Sequence, residues 1–156
     1  MPRFVIQQHA ATSMHFDFRL EVAGTFKSWA VPKGPSTDPR DKRLAMAVDD
    51  HSLPWGDFEG VIAEGEYGAG PVIVWDRGEY RNLREEPMEE CLDRGHVSVW
   101  LEGRKLRGGW SLRRTGGRKW LLVKRRDEEA DARRNPVSTQ RRSVVSGRTI
   151  EEVRES

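Results

Sequence analysis

The first 126 residues fall into short, largely apolar runs broken by turn formers, and in the run at 15–22 apolar and polar residues alternate with a period of two. Runs at 4–7, 15–22, 25–31, 43–48, 71–75, 96–101, 107–113 and 119–124 have strand length. Most are rich in aromatic and β-branched side chains, which fit a pleated, half-buried surface. Gly24, Pro32 to Pro35, Asp76-Arg77-Gly78, Gly103 and Thr115 to Gly117 punctuate them. One helix is expected over 85–94, with Pro87 near its start and Gly95 after its end. Many short strands with tight turns predict a mostly β fold: a compact, closed or strongly curved antiparallel β-barrel with a short flanking helix, because closure removes exposed edges. No fixed-period repeat and no glycine-rich phosphate loop leading into a helix is present, which argues against nucleotide-binding α/β folds.

The run at 15–22 carries the sharpest local signal. Phe16, Phe18, Leu20 and Val22 fall on one side and read as a core face; His15, Asp17, Arg19 and Glu21 fall on the other. Neighbours on one face of a strand stand roughly 6–7 Å apart, so His15 and Asp17 converge on one ion with a modest lean. His9 lies six residues earlier, beyond a small polar stretch able to turn the chain back. Two imidazoles and one carboxylate form a facial set for manganese, zinc or iron, with Glu21 or a backbone carbonyl available to fix a histidine tautomer. The same alternation also describes an ordinary solvated sheet face, and spacing alone does not separate the two.

A cationic set accompanies these groups. Pro32-Lys33-Gly34-Pro35 is a constrained turn presenting Lys33, Arg43 opens the next strand, and Asp49-Asp50-His51 follows it. Lysine and arginine beside a metal neutralise phosphate oxygens, and His51 is either a proton carrier, a phosphate donor or a plain turn histidine. Between 57 and 75, glycines 60, 65, 68 and 70 predict a winding loop able to approach a ligand closely, with Glu59, Glu64 and Glu66 either ordering it through backbone hydrogen bonds or facing the cationic residues.

The chain has 156 residues, 27 Lys and Arg against 25 Asp and Glu, and one cysteine. The length fits one domain, and the lone cysteine excludes an internal disulfide and suits a reducing, cytoplasmic setting. No apolar run is long enough to span a membrane. All Phe, Trp and Tyr residues lie within 1–126, so 127–156 is expected to be a charged, flexible tail. Residues 104–126 hold ten basic and no acidic side chains, a strip suited to a polyanion. Arg113, Arg114 and Arg118 are its expected nucleic-acid contacts, while Trp110 and Trp120 are either stacking platforms or core.

The stretches FVIQQHAATSMHFDFRLE (4–21), FKSWAVPKGPS (26–36), DKRLAMAVDDH (41–51) and DFEGVIAEGEYGAGPVIVWDRG (57–78) resemble the 3′-phosphoesterase family, found as a domain of bacterial ligase D end-joining proteins and as free-standing small proteins. The resemblance covers about residues 3–125. It implies a manganese-dependent β-barrel enzyme, with Zn²⁺ or Co²⁺ as other metals, that removes a 3′-terminal ribonucleoside from a DNA primer and then the remaining 3′-phosphate. Carried residue by residue, it implies His9, His15 and Asp17 as metal ligands, and Arg19, Lys33, Arg43 and His51 as active-site groups. Glu21, Asp49 and Trp55 are implied as positioning residues. Asp49 stands where the ligase D members commonly have Glu, and Trp55 where they have Tyr. The implied partners are DNA or RNA-tipped DNA 3′ ends, with noncovalent association with an end-joining ligase or polymerase left open and a monomer as the default. Two rivals are a catalytically silent DNA-end-binding module and a metal-dependent enzyme acting on a small non-phosphate substrate.

Overall fold

The computed structural model describes residues 1–155. Nine strands form one antiparallel sheet: β1 (Arg3–Ala10), β2 (Met14–Val22), β3 (Thr25–Val31), β4 (Arg43–His51), β5 (Gly60–Ile62), β6 (Gly70–Asn82), β7 (His96–Glu102), β8 (Arg107–Gly116) and β9 (Lys119–Lys124). Pairing runs β1-β2-β3-β4-β9-β8-β7-β6, and β1 also pairs with β6, so eight strands close a barrel while β5 pairs with the start of β6 on the edge away from β1. The expected closed antiparallel barrel is therefore what forms. Strand β5 and the extensions of β1, β4 and β6 are additions to the expected elements.

The period-two reading of β2 holds at the level of packing. Phe16, Phe18, Leu20 and Val22 enter the main core with Trp75, Trp29 and Leu101. Each large side chain buried there is worth about 2–3 kcal/mol relative to exposure. Phe16 meets Trp75 edge-on at 5.4 Å, and Trp29 meets Trp120 at 5.5 Å, which is the favoured geometry for opposed ring quadrupoles. Trp110 and Trp120 are core residues, 1% and 4% exposed, and so are not free to stack on a ligand.

Helix α1 (Met88–Arg94) starts after Pro87, and Gly95 ends it at φ 74° by donating its N–H back to the last turn. Met88 and Leu92 pack against the barrel core. Beyond β9 the chain returns along the barrel instead of leaving it. Thr37 donates to the Asp131 carbonyl, Trp75 Nε1 donates to the Gln140 carbonyl, and Val144 N–H donates to the Val74 carbonyl. After α2 (Pro136–Thr139), helix α3 (Ile150–Glu155) sets Ile150 and Val153 against Ala10 and Ile73. Two apolar side chains three apart suffice to dock one helical turn, which is why the absence of aromatics did not leave 127–155 without contacts.

Candidate metal centre

Antiparallel pairing of β1 with β2 sets His9 opposite His15 and Gln7 opposite Asp17. The turn at 11–13 thus does what the sequence required of it: it brings His9 back beside the polar face of β2. His9, His15 and Asp17 each offer a ligand atom within 4.8 Å of the others, and the imidazole centroids are 5.0 Å apart.

The donor set fits a divalent cation. His9 Nε2 lies 2.6 Å from the Gly68 carbonyl, and His15 Nδ1 lies 3.2 Å from the Ser13 carbonyl. A carbonyl accepts only, so each contact places the ring hydrogen on that nitrogen and frees the other one. The freed atoms are those facing Asp17 Oδ2: His15 Nε2 at 3.4 Å and His9 Nδ1 at 3.9 Å. Burial alone would raise the Asp17 carboxyl, but the hydrogen bonds that His15 and His9 donate when their second ring nitrogen is protonated, with the charge of Arg19, outweigh it and hold Asp17 well below the usual carboxylate range; a cation would take the place of those protons. Hydrogen bonding to Asp17 raises His15 against the opposing effect of burial. An ionised carboxylate and two carbonyl-oriented imidazoles are what a hard or borderline metal requires.

Arg19 is the hub of the adjoining network. Only 3% exposed, it donates through Nε to Gln7 Oε1 at 2.7 Å and through Nη1 to Ser28 Oγ at 2.8 Å. Its Nη2 lies 3.4 Å from Asp17 Oδ2, and Nη1 lies 3.0 Å from His51 Nδ1. Gln7 in turn donates to the carbonyls of Trp55 and Phe58, tying the next loop to the same centre. His51 reaches Arg19 because β4 runs on past its expected end, with Phe26 opposite His51. Burial, then the Arg19 charge, lowers the His51 pKa. The His51 ring also stacks on Trp55 at 5.8 Å, and Trp55 stacks on Phe58 at 4.6 Å. His9, His15, Asp17, Arg19, His51 and Trp55 all line one cleft of about 890 Å³.

Other expected site residues lie elsewhere. Glu21 accepts the Arg3 backbone N–H at 3.0 Å, and carbonyls hold the two histidines in its place. Asp49 is exposed and meets His51 Nδ1 through its carbonyl at 3.1 Å, so the shorter side chain is not what makes that contact. Neither Lys33 nor Arg43 lines the cleft. Lys33 is exposed on the turn beyond the Phe16–Val31 pair, and Arg43 lies 3.8 Å from Asp41 with its Nε buried and unpartnered. Arg113, Arg114 and Arg118 are exposed on or just beyond β8, the strand opposite β2 in the barrel ring. Arg114 donates to the Asp93 carbonyl and covers the Trp120 ring, while Arg113 and Arg118 have no ion-pair partner among the described residues. Glu59 does order its loop, accepting from Val74 N–H and from Ser143 Oγ.

Gln7, Ser28 and Phe58 carried no role in the sequence pattern, whereas Gly68 was one of the glycines expected to bring its loop close to a ligand, and it does so through its carbonyl on His9. Gln7 carried a faint signal, sharing a face of β1 with His9 at period two. Ser28 becomes relevant only through its register with Arg19.

Comparison with known proteins adds an independent line. The profile of the DNA Ligase D 3′-phosphoesterase domain matches residues 7–114. The chain is 51% identical over 154 residues, 95% of its length, to the multifunctional non-homologous end joining protein LigD of Pseudomonas aeruginosa, of which it covers 18%. It is 42% identical over 126 residues to the multifunctional non-homologous end joining DNA repair protein LigD of Mycobacterium tuberculosis, covering 81% of this chain and 16% of that protein. The LigD of Mycolicibacterium smegmatis is 39% identical over 132 residues, again covering 81% of this chain and 17% of the relative. The chain thus spans less than a fifth of the length of these relatives.

Proposed function

This chain belongs to the DNA Ligase D 3′-phosphoesterase domain family, and on that premise we propose that it trims DNA 3′ ends, removing a terminal ribonucleoside by phosphodiester hydrolysis and a 3′-phosphate by monoester hydrolysis to leave a hydroxyl. The observation that carries the reading is the convergence of His9, His15 and Asp17 beside Arg19 and His51 in one cleft. His9 Nδ1, His15 Nε2 and Asp17 hold a divalent cation, manganese in our reading, with zinc and cobalt as the other candidates. The bound cation supplies charge stabilisation at the phosphoryl oxygens.

The protein's own groups do the rest. Arg19 cannot release its proton, so its contact with His51 Nδ1 makes that nitrogen an acceptor and leaves Nε2 to carry the hydrogen. His51 is then a neutral donor whose Nε2–H holds a phosphoryl oxygen, while the proton lost by the attacking water reaches the departing oxygen through solvent. Arg19 orients both His51 and Asp17, and its charge favours the dianionic character that develops as water attacks in line. No cleft-lining serine or threonine is paired with a base in the described hydrogen bonds, which favours water as nucleophile. Lys33 and the partly unpaired Arg43 meet phosphates of the primer further from the reacting centre, and Trp55 supports His51 by stacking.

The cationic side chains of Arg113, Arg114 and Arg118 add salt-dependent attraction for DNA. Docking onto an end-joining ligase is the partnership in keeping with the relatives' names, and docking onto a polymerase rests on the family resemblance alone. Phosphate release and ribonucleoside removal from matched labelled primers, with and without chelator, test the proposal. Both reactions should proceed and stop on chelation; a protein that binds the primers but releases neither product would be a binding module.

A further inference from the structure

The cleft has two chemically different walls. His9, His15, Asp17, Arg19 and His51 make the polar one, and the loop from Trp55 to Gly68 makes the other, with Phe58, Val61, Ile62 and Tyr67 facing the same space. Tyr67 is 103% exposed and Val61 is 48% exposed. An aromatic ring left wholly in water at a cleft wall forgoes the burial that its surface would otherwise gain.

The backbone that carries Tyr67 is nonetheless fixed. Successive turns close around it, with Glu66 N–H donating to the Ala63 carbonyl and Ala69 N–H to the Glu66 carbonyl, each at 3.1 Å. The next residue, Gly68, adopts φ 73° and directs its carbonyl to His9 Nε2. The residue next to the exposed ring is therefore the one that holds a proposed metal ligand. A phosphate belongs on the polar wall, where it finds charge and donors. The aromatic wall offers a phosphate no cation, only the Tyr67 phenol, but offers a flat apolar face to a nucleobase.

We propose that Tyr67 is a stacking platform for the base of the 3′-terminal nucleoside, the unit attached beyond the scissile phosphate. An internal base is stacked on both sides by its neighbours, whereas a terminal base has one open face, and the phenol ring fills it. Stacking of this kind tolerates every base, as each presents a π-face. The inference rests on the 3′-phosphoesterase reading and divides its two reactions: the diester substrate has a base at this place, and the 3′-phosphate substrate does not.

The test uses Tyr67→Ala and Tyr67→Phe in the full chain. With chelator present to prevent turnover, a primer ending in a 2-aminopurine ribonucleoside should lose fluorescence on binding to the parent and to Tyr67→Phe, but not to Tyr67→Ala. With metal restored, Tyr67→Ala should lower kcat/KM for ribonucleoside removal about tenfold, leave phosphate release from a 3′-phosphate primer unchanged, and act on an abasic terminal unit as the parent does. Absence of quenching in the parent, or equal slowing of both reactions in Tyr67→Ala, would overturn the proposal, as would a quench lost only when the probe occupies the penultimate position. If the quench follows Tyr67 but neither reaction occurs, the base site stands and the phosphoesterase reading fails.

Discussion

Arg19 Nη1 and His51 Nδ1 lie 3.0 Å apart, and this contact fixes which histidine nitrogen carries a hydrogen. Because the guanidinium only donates, His51 accepts at Nδ1, and the Asp49 carbonyl 3.1 Å from the same atom becomes a hydrogen-bond partner only when the ring takes a second proton. Arg19→Lys keeps a charge but loses the fork that serves Gln7, Ser28, His51 and Asp17 together. It should lower kcat about 100-fold, the scale of one lost transition-state donor, with little change in metal content. Steady-state kinetics beside metal quantitation checks this; an equal loss of bound metal would assign Arg19 to holding Asp17 alone.

The Gly68 backbone carries a separate prediction. A Cβ there would sit 3.2 Å from His9 Cε1, and φ 73° is costly for any other residue. Gly68→Ala should weaken divalent-ion affinity about tenfold, through a cost of ~1–2 kcal/mol in the loop that orients His9. Calorimetric titration with Mn²⁺ reads it, and unchanged affinity would show that the Gly68 carbonyl does not set the His9 tautomer.

Lys105 gives the fold a pH signature. Burial holds its ammonium at about 8 against 10.5 for a free lysine, with Asp76 opposing the shift. Its Nζ donates to the Arg142 carbonyl at 2.5 Å and lies over the Trp75 ring. Between those two pKa values the unfolded chain keeps a proton that the folded chain has released, so this group makes stability rise from pH ~8 to ~10.5. Burial shifts Lys124 in the same direction, whereas Tyr80, pushed up to about 12, lowers stability only above pH ~10. Denaturant midpoints of Lys105→Met from pH ~7.5 to ~10 should show a shallower rise than the parent. Parallel curves would mean that the ammonium stays charged when folded.

On the far side of the barrel, the salt dependence of DNA binding reports on the cationic surface. Each phosphate neutralised by a side chain contributes about 0.9 to the slope of log K against log salt. Arg113 and Arg118 should each account for close to that amount, and Arg114, held by the Asp93 carbonyl and Trp120, for less. A triple alanine variant with the parental slope would remove this surface from the contact.

The legible part of the molecule was the part governed by local alternation. The pattern of β2 announced both its core face and the polar face that bears His15, Asp17 and Arg19, and the short turn before it announced the return of His9. Less legible were features set by distant pairing. The β1–β6 seam depends on a register shift between Ile6 and Gln7 that no local pattern encodes. The arginine hub depends on Gln7 and Ser28, polar residues that are unremarkable until strand register puts them beside a buried guanidinium. Docking of Ile150 and Val153 was hidden because a helix with two apolar side chains resembles solvated chain until its receptor surface at Ala10 and Ile73 is known. Glu21 misled for the opposite reason: its place on the polar face of β2 is real, but the N-terminal strand already occupies it.

Counting and locating the bound cation is the most direct measurement of the central claim that His9, His15 and Asp17 hold one ion. Crystals of the protein soaked in Mn²⁺, with anomalous scattering recorded from the parent and from Asp17→Ala, should show one strong peak among these three side chains in the parent and none in the variant. A peak held elsewhere in the parent, or one retained at full strength in Asp17→Ala, would contradict it.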